Sequence, residues 1–484
     1  MTRPQNPENG AETGPPPPEL KRVLGLWDIV FFTVVAVTGL RWISRGARAG
    51  APSVLLWVLA WLAFFVPLAL AVSVLAKKHP EQGGIYAWVH RAFGPFASAL
   101  CGWCLWVNNL FYFPSLLLFA AANAAAMFGG LAPGLGDSRI FSTIFVLGFL
   151  WFTVSISIQG FEAGRWLQNV GVVGTWVPAA LLIVGAAVFA GSVGSATSFA
   201  PAALVPRSDL FGTVSLWSGF CFAFAGFEIG AFASQEIHDP ERTLPRGIAI
   251  SGLIVTLIYI AGTVAVLIIV PSDVLAERSG IADAVDAAAT SMGLPAVGPL
   301  TAFLLAASSI AGCASWMAGS ARIAYAAARE GQWPAALGAL HPRYRTPHVA
   351  LIAQGVIATL IFLSSLFLTI GGGTTTVQES YDILVNLTIV VYFVPYVYLF
   401  WGLWRLLKGT ELTLGLRVAA VAGLAATVIS MILVFVPPSG TANVLNYEVN
   451  LIWQTAAVLA GGVALYYFGR RRARSRMVRS RAAS

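Results

Sequence analysis

Charged residues are scarce in this chain of 484 residues. Asp, Glu, Lys and Arg make up only 10% of the sequence, against about 25% in a typical soluble domain. The mean hydropathy is +0.77, and apolar runs of about 20 residues, enough for a helix to cross a bilayer, recur along the chain. This composition excludes a soluble globular domain. Because the apolar runs are continuous rather than alternating, they also exclude a membrane β-barrel.

Residues that bind metals or perform catalysis are also few. The chain has four cysteines and five histidines. Cys101 and Cys104 have the spacing of a redox motif, but they lie inside an apolar run, which favours small buried core residues. The histidines fall in or beside predicted loops and form no metal-ligand pattern. We therefore predict no metal site, no cofactor and no enzyme, since no nucleophile–base arrangement occurs either.

The positive charge of the chain follows membrane topology rather than nucleic-acid binding. The net charge is +8, but the basic residues concentrate in alternate loops and in the C-terminal tail, which is the positive-inside pattern. We therefore expect both termini in the cytoplasm, contact with membrane lipid and no nucleic-acid partner. Residues 1–20 are polar and proline-rich, without the apolar core of a cleavable signal peptide. We expect them to be disordered.

The apolar runs predict an all-α polytopic membrane protein with twelve transmembrane helices. An even number of spans places both termini on the same side of the membrane, which we expect to be the cytoplasmic (plasma) membrane. The predicted spans cover residues 27–47, 54–76, 96–127, 140–160, 170–190, 212–235, 247–270, 296–328, 348–370, 380–405, 413–436 and 449–469.

Spans 1 and 6 carry small residues at similar depths. Gly39 lies about 18 Å from Trp27 at the rise of an α-helix, just past the middle of a hydrocarbon core about 30 Å thick. Gly226 lies at a similar depth in span 6, which enters from the opposite side. Matched broken helices indicate an inverted repeat and the binding site of a transporter, although glycines also mediate simple helix packing. The predicted organisation is a tail 1–24, repeats of five spans at 25–211 and 212–408, spans 11 and 12 at 409–469, and a basic tail 470–484.

The two breaks supply the predicted substrate site. A helix that starts at the break in span 1 would direct N–H groups toward a carboxylate, and one that ends at the break in span 6 would direct carbonyls toward an ammonium group. Together they suit a zwitterionic amino acid. The predicted substrate-binding residues are Val37, Thr38, Gly39, Leu40, Arg41, Phe224, Ala225, Gly226 and Phe227.

Two charges in these spans have open roles. Arg41 can bind a substrate carboxylate and favour acidic substrates, pair with Glu228, or face a hydrated vestibule. Arg45 and Arg48 are expected to reach the outer interface. Glu228 costs on the order of 3 kcal/mol at mid-bilayer by insertion scales, which makes it a candidate functional group. The predicted gating or coupling residues are Glu228, Asn109, Tyr112, Ser309 and Tyr392, with interhelical hydrogen bonding as the alternative for the polar ones.

Several motifs resemble the amino acid–polyamine–organocation (APC) superfamily of transporters. They cover spans 1 to 9, and the chain is most similar in appearance to the glutamate/GABA antiporter and polyamine-carrier branches. The resemblance implies the leucine-transporter fold, with substrate between broken helices 1 and 6. The motifs are GLWD at 25–28, HPEQGGIY at 79–86, AFG at 92–94, FAFAGFE at 222–228 followed by Glu236, DPER at 239–242, PR at 245–246 and RIAY at 322–325 with the loop that follows it to Pro347.

The leading hypothesis is secondary active transport of amino acids by alternating access, as a symporter or an antiporter. A polyamine or other organic-cation carrier is the alternative transporter, and a non-transporting receptor or channel is the alternative of another class. Some proton-coupled relatives use a lysine in span 5, which this chain lacks. Coupling to a proton or to a counter-substrate is therefore left open, as are the substrate and the oligomeric state.

Overall fold

The structure is a computed structural model that describes most of the chain as helices joined by short connections. Ten helices in the described part are long and apolar enough to cross a membrane. The described residues are 25–79, 84–128, 132–206, 210–228, 237–275, 278, 280–329, 331–368, 375–407, 411–437 and 443–482.

The first part of the chain forms helices α1 to α8. A single π-helical turn, Trp61–Phe65, joins α3 to α4 without interrupting the span. The helices are α1 Leu26–Val37, α2 Arg41–Ala47, α3 Ser53–Ala60, α4 Val66–Lys78, α5 Ile85–Phe93, α6 Pro95–Ala126, α7 Arg139–Gln159 and α8 Phe161–Ser192.

The second part of the chain forms helices α9 to α17. Short 3₁₀ helices occur in connections at Leu135–Asp137, Pro201–Ala203 and Ala335–Gly338. The helices are α9 Leu210–Ser215, α10 Trp217–Ala223, α11 Pro240–Ile269, α12 Gly280–Ser291, α13 Val297–Arg329, α14 His348–Phe367, α15 Val377–Leu406, α16 Leu414–Leu433 and α17 Val444–Ala482.

The ten continuous spans correspond to predicted spans 2 to 5 and 7 to 12, with ends that differ by a few residues. The other two predicted spans, 27–47 and 212–235, are not single helices within the described part of the chain. The all-helical membrane architecture is therefore confirmed, whereas the count of twelve stays a prediction. The tail 1–24 lies outside the described residues, and α17 continues as a helix into the predicted basic tail.

Local sequence explains where several helices begin. Gly94 ends α5 with a φ of 83°, a conformation that glycine adopts without strain, and Pro95 then starts α6 at the position where proline is favoured. At α15, the Thr376 hydroxyl accepts from the Glu379 N–H, and the Glu379 carboxylate accepts from the Thr376 N–H. This capping box satisfies two N–H groups that a helix start leaves without partners.

Helices α6 and α15 form the centre of the bundle. Of their membrane-spanning residues, 89% and 83% are buried, whereas α17 buries only 17% of its span. Helix α6 packs against α13 and α15, and α13 packs against α8. Most polar side chains on α6 and α15 are therefore directed into the protein, while the span of α17 presents most of its surface to lipid.

Two faces of the bundle can be distinguished by the ends of the helices. Lys77, at the end of α4, pairs with Glu241 at the start of α11, and the nitrogen–oxygen distance is 3.3 Å. Gly247 of α11 in turn lies against Ile29 of α1. We call this end of the bundle the N-terminal face, because α1 begins there, and the opposite end the far face.

Candidate functional site

The first span is interrupted at Thr38–Leu40. Helix α1 ends at Val37, Thr38 has an extended backbone, and α2 begins at Arg41. A Cβ atom at Gly39 would lie 2.8 Å from the Trp42 side chain, closer than real Cβ atoms approach. Glycine at this position therefore allows Trp42 to fold back over the interruption.

The sixth predicted span is interrupted after Ala223. Helix α10 ends there, and residues 224–228 form turns. Gly226 has a φ of 105°, which side-chain-bearing residues adopt only with strain. Glu236 of the family motif lies outside the described residues.

Tyr259 of α11 connects the two interruptions. Its fully buried hydroxyl accepts from the Gly39 N–H at 3.1 Å and lies 3.0 Å from the Val37 carbonyl and 3.3 Å from the Ala223 carbonyl, to which it can donate. One hydroxyl therefore lies within hydrogen-bond distance of backbone groups at both breaks. Fewer backbone groups than expected are left for a substrate, because the Gly39 N–H and the two carbonyls have a tyrosine partner.

A cavity of about 140 Å³ lies between the two interruptions. Helices α1, α2, α6, α8, α10, α13 and α15 or the segments next to them contribute to it. Its lining residues are Val37, Thr38, Gly39, Leu40, Arg41, Trp42, Asn108, Asn109, Tyr112, Leu116, Phe119, Thr175, Phe222, Ala223, Ala225, Ser308, Ser309, Gly312, Trp316 and Tyr392.

The structure brings ten of the fourteen predicted site residues together around this cavity. The other four, Phe224, Gly226, Phe227 and Glu228, do not line it. The ten that line it are Val37, Thr38, Gly39, Leu40, Arg41, Ala225, Asn109, Tyr112, Ser309 and Tyr392.

Arg41 carries a buried positive charge at the cavity wall, and only 2% of its surface is exposed. Its Nη1 donates to the Ser115 hydroxyl at 3.0 Å. The guanidinium carbon lies 4.5 Å from the ring centre of Trp42 and 4.6 Å from that of Tyr112. Its Nη2 has no hydrogen-bond partner among the described residues. The geometry does not support a hydrated vestibule or a pair with Glu228.

Neutral polar atoms without partners also line the cavity. The side-chain oxygens of Asn108, Asn109 and Thr38 are buried, and the described part of the chain offers them no partner. The Asn109 amide nitrogen instead donates to the Leu105 carbonyl at 2.9 Å. Buried polar groups in proteins are nearly always hydrogen-bonded. The same cavity wall thus presents hydrogen-bond acceptors as well as the guanidinium, which is the pattern of a polar ligand site.

Glu228 is buried as deeply as Arg41, but its carboxylate is fully engaged. The Tyr392 hydroxyl donates to Oε1 at 2.9 Å, and the Tyr396 hydroxyl donates to Oε2 at 2.7 Å. The Gly226 N–H also reaches Oε2 at 3.1 Å. Because Tyr392 lines the cavity, the carboxylate contacts the site indirectly, through the α15 tyrosines.

Phe224 and Phe227 pack into an aromatic cluster instead of lining the cavity. Both are fully buried. Phe65 lies 5.5 Å from the ring of Phe224 and 4.7 Å from that of Phe227, and Trp57 meets Phe224 edge-on at 5.7 Å. These aromatic contacts give the two phenylalanines a packing role beneath the break, in contrast to their predicted contact with substrate.

A polar network lies on the far-face side of the cavity. Arg45, one turn beyond Arg41 on α2, donates to Asn386 at 2.9 Å and pairs with Asp382 at 3.6 Å. Arg48 pairs with the same carboxylate at 3.9 Å. Arg45 is buried, so it does not reach the outer interface as expected. These contacts hold α2 against α15 and separate the cavity from the far face.

Sequence reasoning missed several residues of the site. Trp42, Phe222 and Trp316 are aromatic residues in aromatic-rich helices, where sequence alone does not distinguish lining from packing. Tyr259 and Asp382 had a usable signal, because each places a polar group within a predicted span. Such groups inside a membrane-spanning helix usually face the protein interior.

Comparison with known proteins identifies the family of this chain. Residues 24–463 match the model of a family described as amino acid permease. The chain belongs to the amino acid permease family. The APC resemblance is thereby confirmed, and the family has a leucine-transporter-like fold.

Curated relatives cover much of the chain at modest identity. An uncharacterized transporter of Legionella pneumophila is 28% identical over 93% of this chain and 96% of its own length. A probable agmatine/putrescine antiporter of Lactococcus lactis is 27% identical over 73% of this chain and 72% of its own length. A serine/threonine exchanger of Bacillus subtilis is 30% identical over 61% of this chain and 65% of its own length.

The family and the apolar helices establish a multi-pass membrane protein of a transporter family. Family membership favours transport of amino acids or organic cations over a receptor, a channel or an enzyme. The prediction that the protein is a permease of the amino acid transport type agrees with this family.

Proposed function

We propose that this permease performs secondary active transport of amino acids across the cytoplasmic membrane, by symport or exchange, with alternating access to the cavity between the two helix breaks. One observation carries the proposal: a guanidinium nitrogen of Arg41 and the amide oxygens of Asn108 and Asn109 line the cavity without a hydrogen-bond partner among the described residues. A zwitterionic amino acid carries the complementary groups, a carboxylate and an ammonium.

The cavity supplies a partner for each charged end of such a substrate. The Arg41 Nη2 donates to a carboxylate, a charge-assisted bond that is roughly twice as strong as a neutral one. The oxygens of Asn108 and Asn109 accept from the ammonium, and Thr38 adds a hydroxyl at the break. Trp42, Phe222 and Trp316 provide apolar wall for the side chain.

The same cavity is a poor site for a polyamine. Among its described lining residues none is acidic, and Arg41 contributes a positive charge. Glu228 lies outside the lining, and its oxygens accept from two tyrosines and a backbone N–H. A dication would therefore meet repulsion without a carboxylate to offset it.

Alternating access requires both sides of the cavity to open in turn. On the far face, α2 must separate from α15, which breaks the contacts of Arg45 and Arg48 with Asp382. Toward the N-terminal face, the segment at Gly226 must move relative to Tyr392 and Tyr396. Both movements are local to the broken helices, whose interrupted hydrogen bonding allows them to bend.

The distribution of basic residues supports a cytoplasmic N-terminal face. Lys77 and Lys78 lie at the end of α4, Arg91 at the end of α5 and Arg405 at the end of α15. Arg405 donates to the carbonyl of Ala92, next to Arg91, which places α5 and the end of α15 on the same face. Under the positive-inside rule this face, and with it both termini, lies in the cytoplasm.

The proposal is tested with purified protein in liposomes. We expect uptake or exchange of labelled amino acids from a panel of the twenty, with no comparable transport of putrescine or spermidine. Gly312→Leu should abolish transport, because Gly312 lines the cavity. A Cβ atom added there would lie 3.6 Å from the Leu116 side chain, so the rest of the leucine would fill the cavity.

Gly319→Leu is the matched control on the same helix. Gly319 is exposed, and a Cβ atom added there would meet nothing within 4 Å beyond its own helix backbone, so leucine adds only lipid-facing surface. Transport should persist in this variant. If no amino acid is moved, the proposed function is wrong. If Gly312→Leu transports as well as Gly319→Leu, the proposed site is wrong.

A further inference from the structure

The charge of the cavity carries information about the substrate beyond its being an amino acid. Resting on the proposed function, we infer that the permease selects amino acids with an acidic side chain, and that Arg41 determines this preference. The inference depends on the balance of charge at the site, on the geometry of the guanidinium and on the polar atoms that remain for a second carboxylate.

Arg41 is the one formally charged side chain among the described residues that line the cavity. The nearby carboxylates have other partners: Glu228 accepts from Tyr392 and Tyr396, and Asp382 pairs with Arg45 and Arg48. Neither carboxylate lines the cavity, so the charge carried by its described lining residues is +1. A buried charge without a counter-ion is costly, so a ligand that supplies a negative charge is favoured.

The surroundings of the guanidinium direct it toward a carboxylate. Trp42 and Tyr112 contact the planar group through their rings, and Nη1 is bonded to Ser115. Nη2 is left without a partner in the described part of the chain, and the residue lines the cavity. Rings that hold the group in one orientation reduce the entropy lost when a carboxylate binds its edge.

Net charge then separates three classes of amino acid. A neutral zwitterion supplies no net charge, so the excess positive charge persists after binding. A basic amino acid adds a second positive charge. An acidic amino acid has a net charge of −1 and brings the occupied cavity to neutrality, which a low-dielectric site favours strongly.

The cavity also has groups for the remaining parts of an acidic substrate. When one carboxylate binds Arg41, the hydroxyl of Thr38, which has no partner in the described part of the chain, can donate to the other, and the amide oxygens of Asn108 and Asn109 accept from the ammonium. Either carboxylate, main-chain or side-chain, can face Arg41. Both orientations give the same selectivity, because in each the substrate's net charge of −1 offsets the positive charge of Arg41.

The experiment compares labelled aspartate and glutamate with asparagine, glutamine and serine in proteoliposomes. The acid and amide pairs have nearly the same shape, so the comparison isolates charge. In the wild type we expect acidic substrates to be taken up at least about tenfold more efficiently than their amides, the lower end of the effect expected of one hydrogen bond to a charged group. Arg41→Gln should collapse this ratio to about one, and Arg41→Lys should restore part of it.

Arg45→Gln is the matched control, because it removes a buried positive charge one turn away whose partners are Asp382 and Asn386. It should change the rates of acidic and amide substrates by a common factor, leaving their ratio near the wild-type value. A common loss in Arg41→Gln with the ratio retained would assign Arg41 a structural role and overturn the inference.

If Arg41→Gln does not fold, the substrate profile of the wild type alone still tests the preference for acidic amino acids. A wild type that transports serine or the amides in preference to aspartate and glutamate overturns the acidic preference while the proposed function stands. Transport of none of these five while others of the twenty amino acids are moved likewise overturns only the acidic preference, and transport of none of the twenty overturns the proposed function as well.

Discussion

The two helix breaks differ in how they treat a buried charge. At the first, the Arg41 guanidinium keeps a nitrogen without a partner in the described structure and faces the cavity. At the second, each oxygen of Glu228 accepts a hydrogen bond, and the residue lies behind the cavity wall. Both residues are at most 2% exposed. Depth in the membrane therefore does not distinguish them, but their partners do.

This difference separates a ligand site from an internal linkage. A charge whose hydrogen bonds are complete within the protein contributes to the conformation, and its removal leaves other buried groups without partners. A charge whose hydrogen bonds are incomplete is most stable when a ligand completes them. Glu228 therefore links the break in span 6 to α15 through Tyr392 and Tyr396, whereas Arg41 is directed to the transported molecule.

The largest effect is expected from Gly226→Leu, which tests whether the second break needs its unusual backbone. At a φ of 105° a leucine is strained by about 1 to 3 kcal/mol, and relief of that strain alters the turn that positions Glu228. We expect transport in proteoliposomes to be abolished while the protein still elutes as a folded species in size-exclusion chromatography. Transport at the level of Gly319→Leu would show that the break tolerates a side chain.

The next effect is on stability, and removal of the charge should lower stability at the second break but not at the first. Glu228→Ala leaves two tyrosine hydroxyls and the Gly226 N–H without their acceptor, which should destabilise the protein by roughly 2 to 4 kcal/mol. Arg41→Met removes a charge that has no ionic partner among the described residues, and it should leave stability equal or higher in the absence of substrate. Thermal unfolding in detergent measures both, and an equal loss in the two variants contradicts the contrast.

The smallest effect is expected from Tyr259→Phe, which removes the hydroxyl shared by the two breaks. The Gly39 N–H loses its acceptor, and the Val37 and Ala223 carbonyls lose a donor, a change worth about 1 to 2 kcal/mol. We expect a modest fall in thermal stability and a slower transport rate with the substrate preference retained. Tyr467→Phe, at an exposed position, is the control and should match the wild type in all three.

Much of the first break could be predicted from sequence because its signals are local. A glycine near mid-depth in an apolar run, followed closely by an arginine, is costly in a lipid-facing helix and therefore indicates a site. The predicted residues Val37 to Arg41 all line the cavity. The second break was harder to predict from sequence. The same pattern of a glycine and a charge occurs there, but it forms a turn most of whose residues pack away from the cavity.

The polar residues of α6, α13 and α15 illustrate the same limit. Asn109, Tyr112, Ser309 and Tyr392 were selected as unusual residues in apolar helices, and the fold brings them to one cavity. The neighbouring Asn108 was not selected, although it lines the cavity too. Helical spacing indicates which residues share a face of a helix, but the packing of α6 against α13 and α15 decides which face borders the cavity.

The sequence by itself determined that this protein is a helical membrane protein with interruptions near the middle of two spans. These properties depend on composition and on the cost of polar groups in lipid, which are properties of short segments. Tertiary structure decided what the two charges do. Tyr392 and Tyr396 lie more than 150 residues from Glu228 in the chain, yet they complete its hydrogen bonds, and no comparable carboxylate of the described residues reaches Arg41. Whether a buried charge is satisfied depends on such distant partners, so it is settled only when the helices pack.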